Sequence, residues 1–160
     1  MKTRMILVTL VICLAAAAAN ADDNPFMGTW KLNLLKSKIL NQDGIRPVPL
    51  TKSIVTYELV RNQVKVTDDD TLTDGHSMHM EWIGKFDGKD YPVTGDPTAD
   101  TWSYKKLNDQ TLIFTTKKDG KIQAIRHMTV SADGKTRTST GTRTDASGKT
   151  ASVTAIYEKD

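Results

Sequence analysis

The chain reads as an all-β protein, an antiparallel up-and-down meander closed into a barrel of about eight to ten strands. Three observations lead there. Turn dipeptides recur at near-regular intervals, the segments between them alternate apolar and polar residues, and no apolar pattern of helical period runs for a useful length. Turn tips near residues 62, 75, 88, 109, 120, 134 and 148 lie eleven to fourteen residues apart, save for one wider gap. Most carry Asp-Gly, Asn-Asp or Ser-Gly, which suit the positive φ angles of tight hairpin turns. A meander of that size removes its exposed edges most simply by closing on itself. An open two-sheet sandwich shows the same alternation and stays open as the alternative.

The first 21 residues stand apart. Lys2 and Arg4 precede a short apolar run from Met5 to Leu14, and Ala19-Asn20-Ala21 offers small residues where a signal peptidase cuts. Even counted through the alanines to Ala19 the run is short for a span of ~20 residues, and acidic Asp22 and Asp23 follow. Residues 1–21 are therefore expected to be a signal peptide cleaved after Ala21, leaving one domain over 22–160 in the periplasm or outside the cell. No membrane insertion is expected after cleavage, and a monomer is expected. Cleavage would leave 139 residues with 20 basic side chains against 19 acidic ones, and would remove Cys13, the only cysteine. That balance provides no basic stripe for nucleic acid. A domain without disulfides rests on its apolar core, which this length can build.

The mature chain opens on Asn24-Pro-Phe-Met-Gly-Thr-Trp-Lys-Leu-Asn33, whose alternation sets Phe26, Gly28, Trp30, Leu32 and Leu34 on one face. Lys36 to Thr51 lacks alternation and carries Pro47 and Pro49, so it reads as a flap with room for one helical turn. Val55, Tyr57 and Leu59 then share a face, Arg61-Asn62 turns, and Val64 and Val66 follow before the acidic run Asp68–Asp70. From Asp74-Gly75 a strand places His76, Met78, Met80, Trp82 and Phe86 together. The wide gap holds Tyr91-Pro-Val-Thr-Gly-Asp-Pro97, read as a bulged or broken edge. Trp102 with Tyr104, then Leu112 with Phe114, mark the next two strands. Ile122, Ala124, Arg126, Met128 and Val130 line another. After a strand bracketed by Gly134 and Gly148, Ala151, Val153, Ala155 and Tyr157 line the last.

Gly28-Thr-Trp30 near the start of the mature chain resembles the Gly-X-Trp signature of lipocalins and their fatty-acid-binding and avidin relatives. With Phe86-Asp-Gly-Lys-Asp-Tyr-Pro-Val-Thr-Gly-Asp-Pro97 it is similar to a group of small exported bacterial proteins of lipocalin-like type. The resemblance covers essentially the whole mature chain and implies a lipocalin-like barrel with Gly28 and Trp30 as its structural signature. It also implies an Arg from a late strand packed over Trp30. Arg126 is the candidate, being charged on an otherwise apolar face, and Arg143 is the alternative. The chain departs from typical secreted lipocalins in lacking a disulfide and a long C-terminal helix. A fold of this kind says little of its ligand.

Function is expected to be non-catalytic binding of a small hydrophobic or amphipathic ligand. An eight-stranded interior either fills with side chains or holds one such molecule. The expected walls are Trp82, Trp102, Tyr104, Phe114, Met78, Met80 and Tyr157, with Arg126 as lid or anion contact. The other readings are an envelope interaction module with a filled core, and a lipocalin-fold enzyme. The residues show no catalytic constellation: no nucleophile elbow, no phosphate loop and no cysteine after export. No cofactor is expected. His76, Met78 and Met80 could in principle serve copper, yet they string out along ~13 Å of strand and read first as core methionines beside ordinary histidines. The Asp68–Asp70 run lacks calcium-loop spacing and reads as a solvated hairpin loop.

Overall fold

The computed structural model describes residues 24–41, 44–46, 49–144 and 147–160; the expected leader and its cleavage point lie outside the described residues. Twelve strands follow in order: β1 (Gly28–Leu32), β2 (Lys38–Asn41), β3 (Gly44–Arg46), β4 (Leu50–Val60), β5 (Gln63–Leu72) and β6 (Ser77–Gly84), then β7 (Tyr91–Thr94), β8 (Thr101–Asn108), β9 (Thr111–Lys118), β10 (Lys121–Val130), β11 (Thr136–Thr144) and β12 (Thr150–Lys159). Ten of them form a closed antiparallel barrel in the order β1-β4-β5-β6-β7-β8-β9-β10-β11-β12, and β12 pairs back onto β1 through Trp30↔Lys159 and Leu32↔Tyr157. Closure excludes the open sandwich.

Within the segment expected to be a flap, the described residues form a turn and two short paired strands, and residues 42–43 and 47–48 lie outside the described residues. After β1 the chain makes one tight turn, with Lys36 N–H on the Asn33 carbonyl at 3.3 Å and Ser37 N–H on that of Leu34 at 3.4 Å. β2 then runs beside β12 through Ile39↔Val153, and β3 pairs with β2. β1 and β2 thus share one line along β12, and Ser37 bridges the break between them. Its hydroxyl donates to the Asn33 carbonyl at 2.7 Å and accepts from Ile156 N–H at 2.9 Å. A side-chain oxygen takes the place of the carbonyl a continuous strand would supply. Prolines there exclude a helix, but they do not exclude two short strands.

The wide gap is also a strand. β7 sits inside the sheet rather than at an edge, joined to β6 and to β8 by only two residue pairs on each side. Gly95 closes it at φ +78°, where an added Cβ would lie 1.9 Å from the His79 carbonyl oxygen. The alternation holds through most of the other strands, although Leu34 and Leu59 are exposed where β1 and β4 run out: Val55, Tyr57, Val66, Met80, Trp82, Leu112, Phe114, Met128, Val130, Ala155 and Tyr157 are buried in one core. Burial of each large aliphatic side chain here stabilises the fold by roughly 1.5–3 kcal/mol. Ile122 leaves this pattern because a bulge between Ile122 and Ala124 shifts the register, and it ends half exposed.

Candidate ligand site in the barrel interior

The lumen has a packed end and a polar end. The packed end is built on Trp30, fully buried, whose indole N–H donates to the Phe26 carbonyl at 2.8 Å. The cation over it is Arg137, not Arg126 or Arg143. The Arg137 guanidinium carbon lies 5.6 Å from the Trp30 ring, 5.2 Å from Tyr57 and 4.1 Å from Tyr157, and Nη1 donates to the Tyr57 hydroxyl. Register decides this: Arg137 faces Val130 and Tyr157 at the level of Trp30, whereas Arg126 pairs with Gly141 and Phe114 two inward positions farther up β10. Arg137 stands among threonines, which gave it no apolar contrast in the sequence. Lys159, directly opposite Trp30 across the β1–β12 seam, brings its Nζ within 5.1 Å of the Trp30 ring.

Above this floor the interior is charged. β5 does not end at Val66: Asp68 faces Val55 and Met80, and Asp70 faces Ser53 and Met78, so both carboxylates turn inward. The solvated-loop reading of the acid run is therefore corrected; only Asp69 points out, where it meets His79 Nδ1 at 2.6 Å. Extending the two-residue period of Val64 and Val66 by two steps would have revealed this. Burial pushes the Asp68 carboxyl well above the usual range, and the neighbouring Asp70 adds to the shift. Arg137 and the Ser53 hydroxyl, 3.3 Å away, oppose it only in part. Tyr157 is raised to about 12 by burial first and by Asp68 second, with Arg137 and Arg126 opposing.

In the ring of ten strands β5, which carries Asp68 and Asp70, and β10, which carries Arg126, stand half a turn apart. Small residues clear the wall beside Arg126: Ala124, Ser139, Gly141, Ala151 and Ala155. Gly141 has a second reason to be small, because a Cβ there would lie 2.0 Å from the Ile125 carbonyl oxygen. Asp68, Asp70, Met78, Arg126 and Ala151 all face inward yet stay half-buried, so solvent reaches the lumen from this end. Asp70 Oδ1 and Arg126 Nε find no hydrogen-bond partner, nor does Arg137 Nε at the floor.

Four of the expected aromatic residues stand in one row: Trp102 to Phe114 at 5.3 Å, Phe114 to Tyr104 at 4.7 Å, Tyr104 to Trp82 at 4.8 Å. Trp82 and Tyr104 are packed into the floor, Trp82 donating its N–H to the Trp102 carbonyl at 3.0 Å. Trp102 in turn donates to Asp96 Oδ2 at 2.8 Å. Met78 and Met80 line the lumen beside the carboxyl pair, while His76 lies exposed at the strand mouth, 3.1 Å from Asp74. Among the described residues no three His, Cys, Asp or Glu side chains are grouped to hold a metal ion. At the opposite end of the barrel, Pro25, Asn108, Asp109, Gln110, Thr111 and Thr129 line an open concavity.

No protein-family model matches the chain, and no curated protein matches it. Several solved structures are similar to it, among them two bound to DFHBI. One is EF1p2_mFAP2b bound to DFHBI, 11% identical, with a TM-score of 0.47 over 85% of this chain and 94% of that one. The other is mFAP1, a redesigned β-barrel bound to DFHBI, 15% identical, with a TM-score of 0.44 over 84% and 95%.

Proposed function

We propose that this protein is a non-catalytic binder of a small amphipathic molecule, held in the polar half of the barrel. One observation carries the reading. Asp68, Asp70 and Arg126 face inward and stay half-buried above a fully packed aromatic floor, and the buried Asp70 Oδ1 and Arg126 Nε have no partner. A side-chain-filled barrel would bury such positions with apolar residues, since an unpaired buried polar group is costly. Phe114, Met78 and Met80 would take the apolar body of the ligand and Trp102 its rim, while Trp82, Tyr104 and Tyr157 support the floor. The leader over residues 1–21, as read from the sequence and from its likeness to small exported bacterial proteins, would put this binding in the periplasm or outside the cell.

Native mass spectrometry of the protein, gently isolated from its host's envelope fraction, tests the reading. A discrete added mass that is lost on denaturation supports it. An apo mass, together with no uptake of any apolar dye, would favour the envelope interaction module, which the filled floor already suits in its lower half.

A further inference from the structure

We propose that the outer wall of β9, β10, β11 and β12 is a binding face for an uncharged, hydroxyl-rich polysaccharide, separate from the lumen and independent of what the lumen holds. Strand register sets its side chains in three rows. Thr111, Thr129, Thr138 and Ile156 stand side by side in the first. Ile113, His127, Thr140 and Thr154 make the second, and Thr115, Ile125, Thr142 and Ser152 the third. All point away from the core and are exposed or half-exposed. Neighbours repeat at about 4.8 Å across the strands and about 6.7 Å along them. None is Asp, Glu, Lys or Arg, in a chain where 26% of residues are charged. Charge begins at the margins, with Lys38 beside Thr154, Lys117 two residues beyond Thr115 and Glu158 two beyond Ile156.

Strand propensity alone does not account for this face. Threonine suits a strand on any side of the barrel. Yet the corresponding outward rows on β1, β4, β5 and β6 carry Lys31, Glu58, Lys65, Asp69 and Glu81. The missing charge selects the partner. A charged polymer would find nothing to pair with in these rows and would lose hydration. Each threonine hydroxyl both donates and accepts a hydrogen bond, and its methyl group, with Ile113, Ile125 and Ile156, offers apolar contact. A sugar ring presents the same mixture of hydroxyls and C–H surface. A second copy of the chain fits less well. Stable protein interfaces take roughly 20–30 residues a side, more than these rows supply. The wall of a closed ring is also convex, so two such walls would touch along a strip. An extended sugar chain can follow the curve.

The test is depletion of the protein from solution by insoluble polysaccharides, with cellulose and curdlan as neutral probes and a calcium alginate gel as the acidic one. Retention is expected on a neutral glucan, and about 1 M salt should change it less than about 2-fold, because no ion pair is screened. Thr140→Lys with Thr154→Glu sets a charge pair in the middle of the face at unchanged net charge. It should weaken retention by about 10-fold or more, since both charges must shed water against a neutral partner. Thr56→Lys with Thr67→Glu places the same cross-strand pair on the charged wall and should leave retention as it was. Should the first pair not fold, amide shifts of the unaltered protein on titration with cellohexaose decide: they should move on β10 and β11 and stay fixed on β4 and β5. No retention on either neutral glucan, retention on alginate alone, or equal retention by both variants would overturn the proposal. So would a dimer in sedimentation that the first pair of substitutions dissolves, which would assign the face to a second copy.

Discussion

Arg137 is a cation held among three aromatic faces, with its charge offset by a tyrosine hydroxyl and by the nearby carboxyl pair rather than by a formal ion pair. Desolvated cation–π contacts contribute about 0.5–2 kcal/mol, and the side chain also fills the space above Trp30. Arg137→Met, which keeps most of the volume, should therefore cost about 2 kcal/mol or more in chemical denaturation. Arg126→Met should cost less than about 1 kcal/mol, because Arg126 lacks such stacking and stays half-buried. The reverse ranking would return the lid to Arg126. Asp68 makes a prediction of opposite sign. Its carboxyl is raised in the fold, so its protonated form stabilises the protein fully below the ordinary carboxylate pKa, and that contribution is lost as pH rises through the raised value. Asp68→Asn should raise the melting temperature at pH 7–8 and change it little near pH 3. A melting temperature lowered at neutral pH would show that Asp68 is ionised there and held by Arg137.

Strength is uneven around the wall. β4 and β5 run together over ten paired residues from Leu50↔Leu72 to Val60↔Gln63, while β7 holds β6 and β8 with two pairs each. Local opening follows such differences in hydrogen bonding and packing. Amides of β7 should thus exchange with deuterium well before those of central β4 and β5, and equal protection would contradict this account of the seam. The β10–β11 contact is close instead of sparse. Gly141→Ala puts a methyl group into the backbone of the next strand, where no side chain can yield, and is expected to destabilise by about 2 kcal/mol or more. Both features were faintly legible: Gly141 as a gap in a run of threonines, and β7 as a Tyr-Pro-Val-Thr segment too short to show its alternation. Neither named its neighbour.

For the molecule as a whole, the closed end works as a buried phenol cluster. Tyr57, Tyr104 and Tyr157 are all raised by burial, Tyr157 to about 12, and the Tyr57 and Tyr104 rings meet edge-on at 6.2 Å. Groups raised in this way stabilise the fold below their ordinary pKa of ~10 and lose that contribution as pH climbs toward the raised values. Alkaline unfolding is expected between pH 10 and 12, with ionisation of these three tyrosines coinciding with loss of β structure. Phenolate absorbance appearing in a folded barrel would show the floor to be open to water.

Local chemistry was enough to establish that this chain is a meander of strands, where most of its hairpins turn, and which face of each strand is apolar, because alternation and turn geometry act over a few residues. It also set Trp30 at the head of the core and Met78, Met80, Trp102, Tyr104 and Phe114 on the inner face. What it could not decide was which residues meet across the lumen. Asp68 and Arg126 lie on strands half a turn apart, and Arg137 reaches Trp30 only through the register of β10, β11 and β12 against β1. Those contacts depend on strand tilt and on closure of the sheet, which couple positions a hundred residues apart and leave no trace in the period of any single strand.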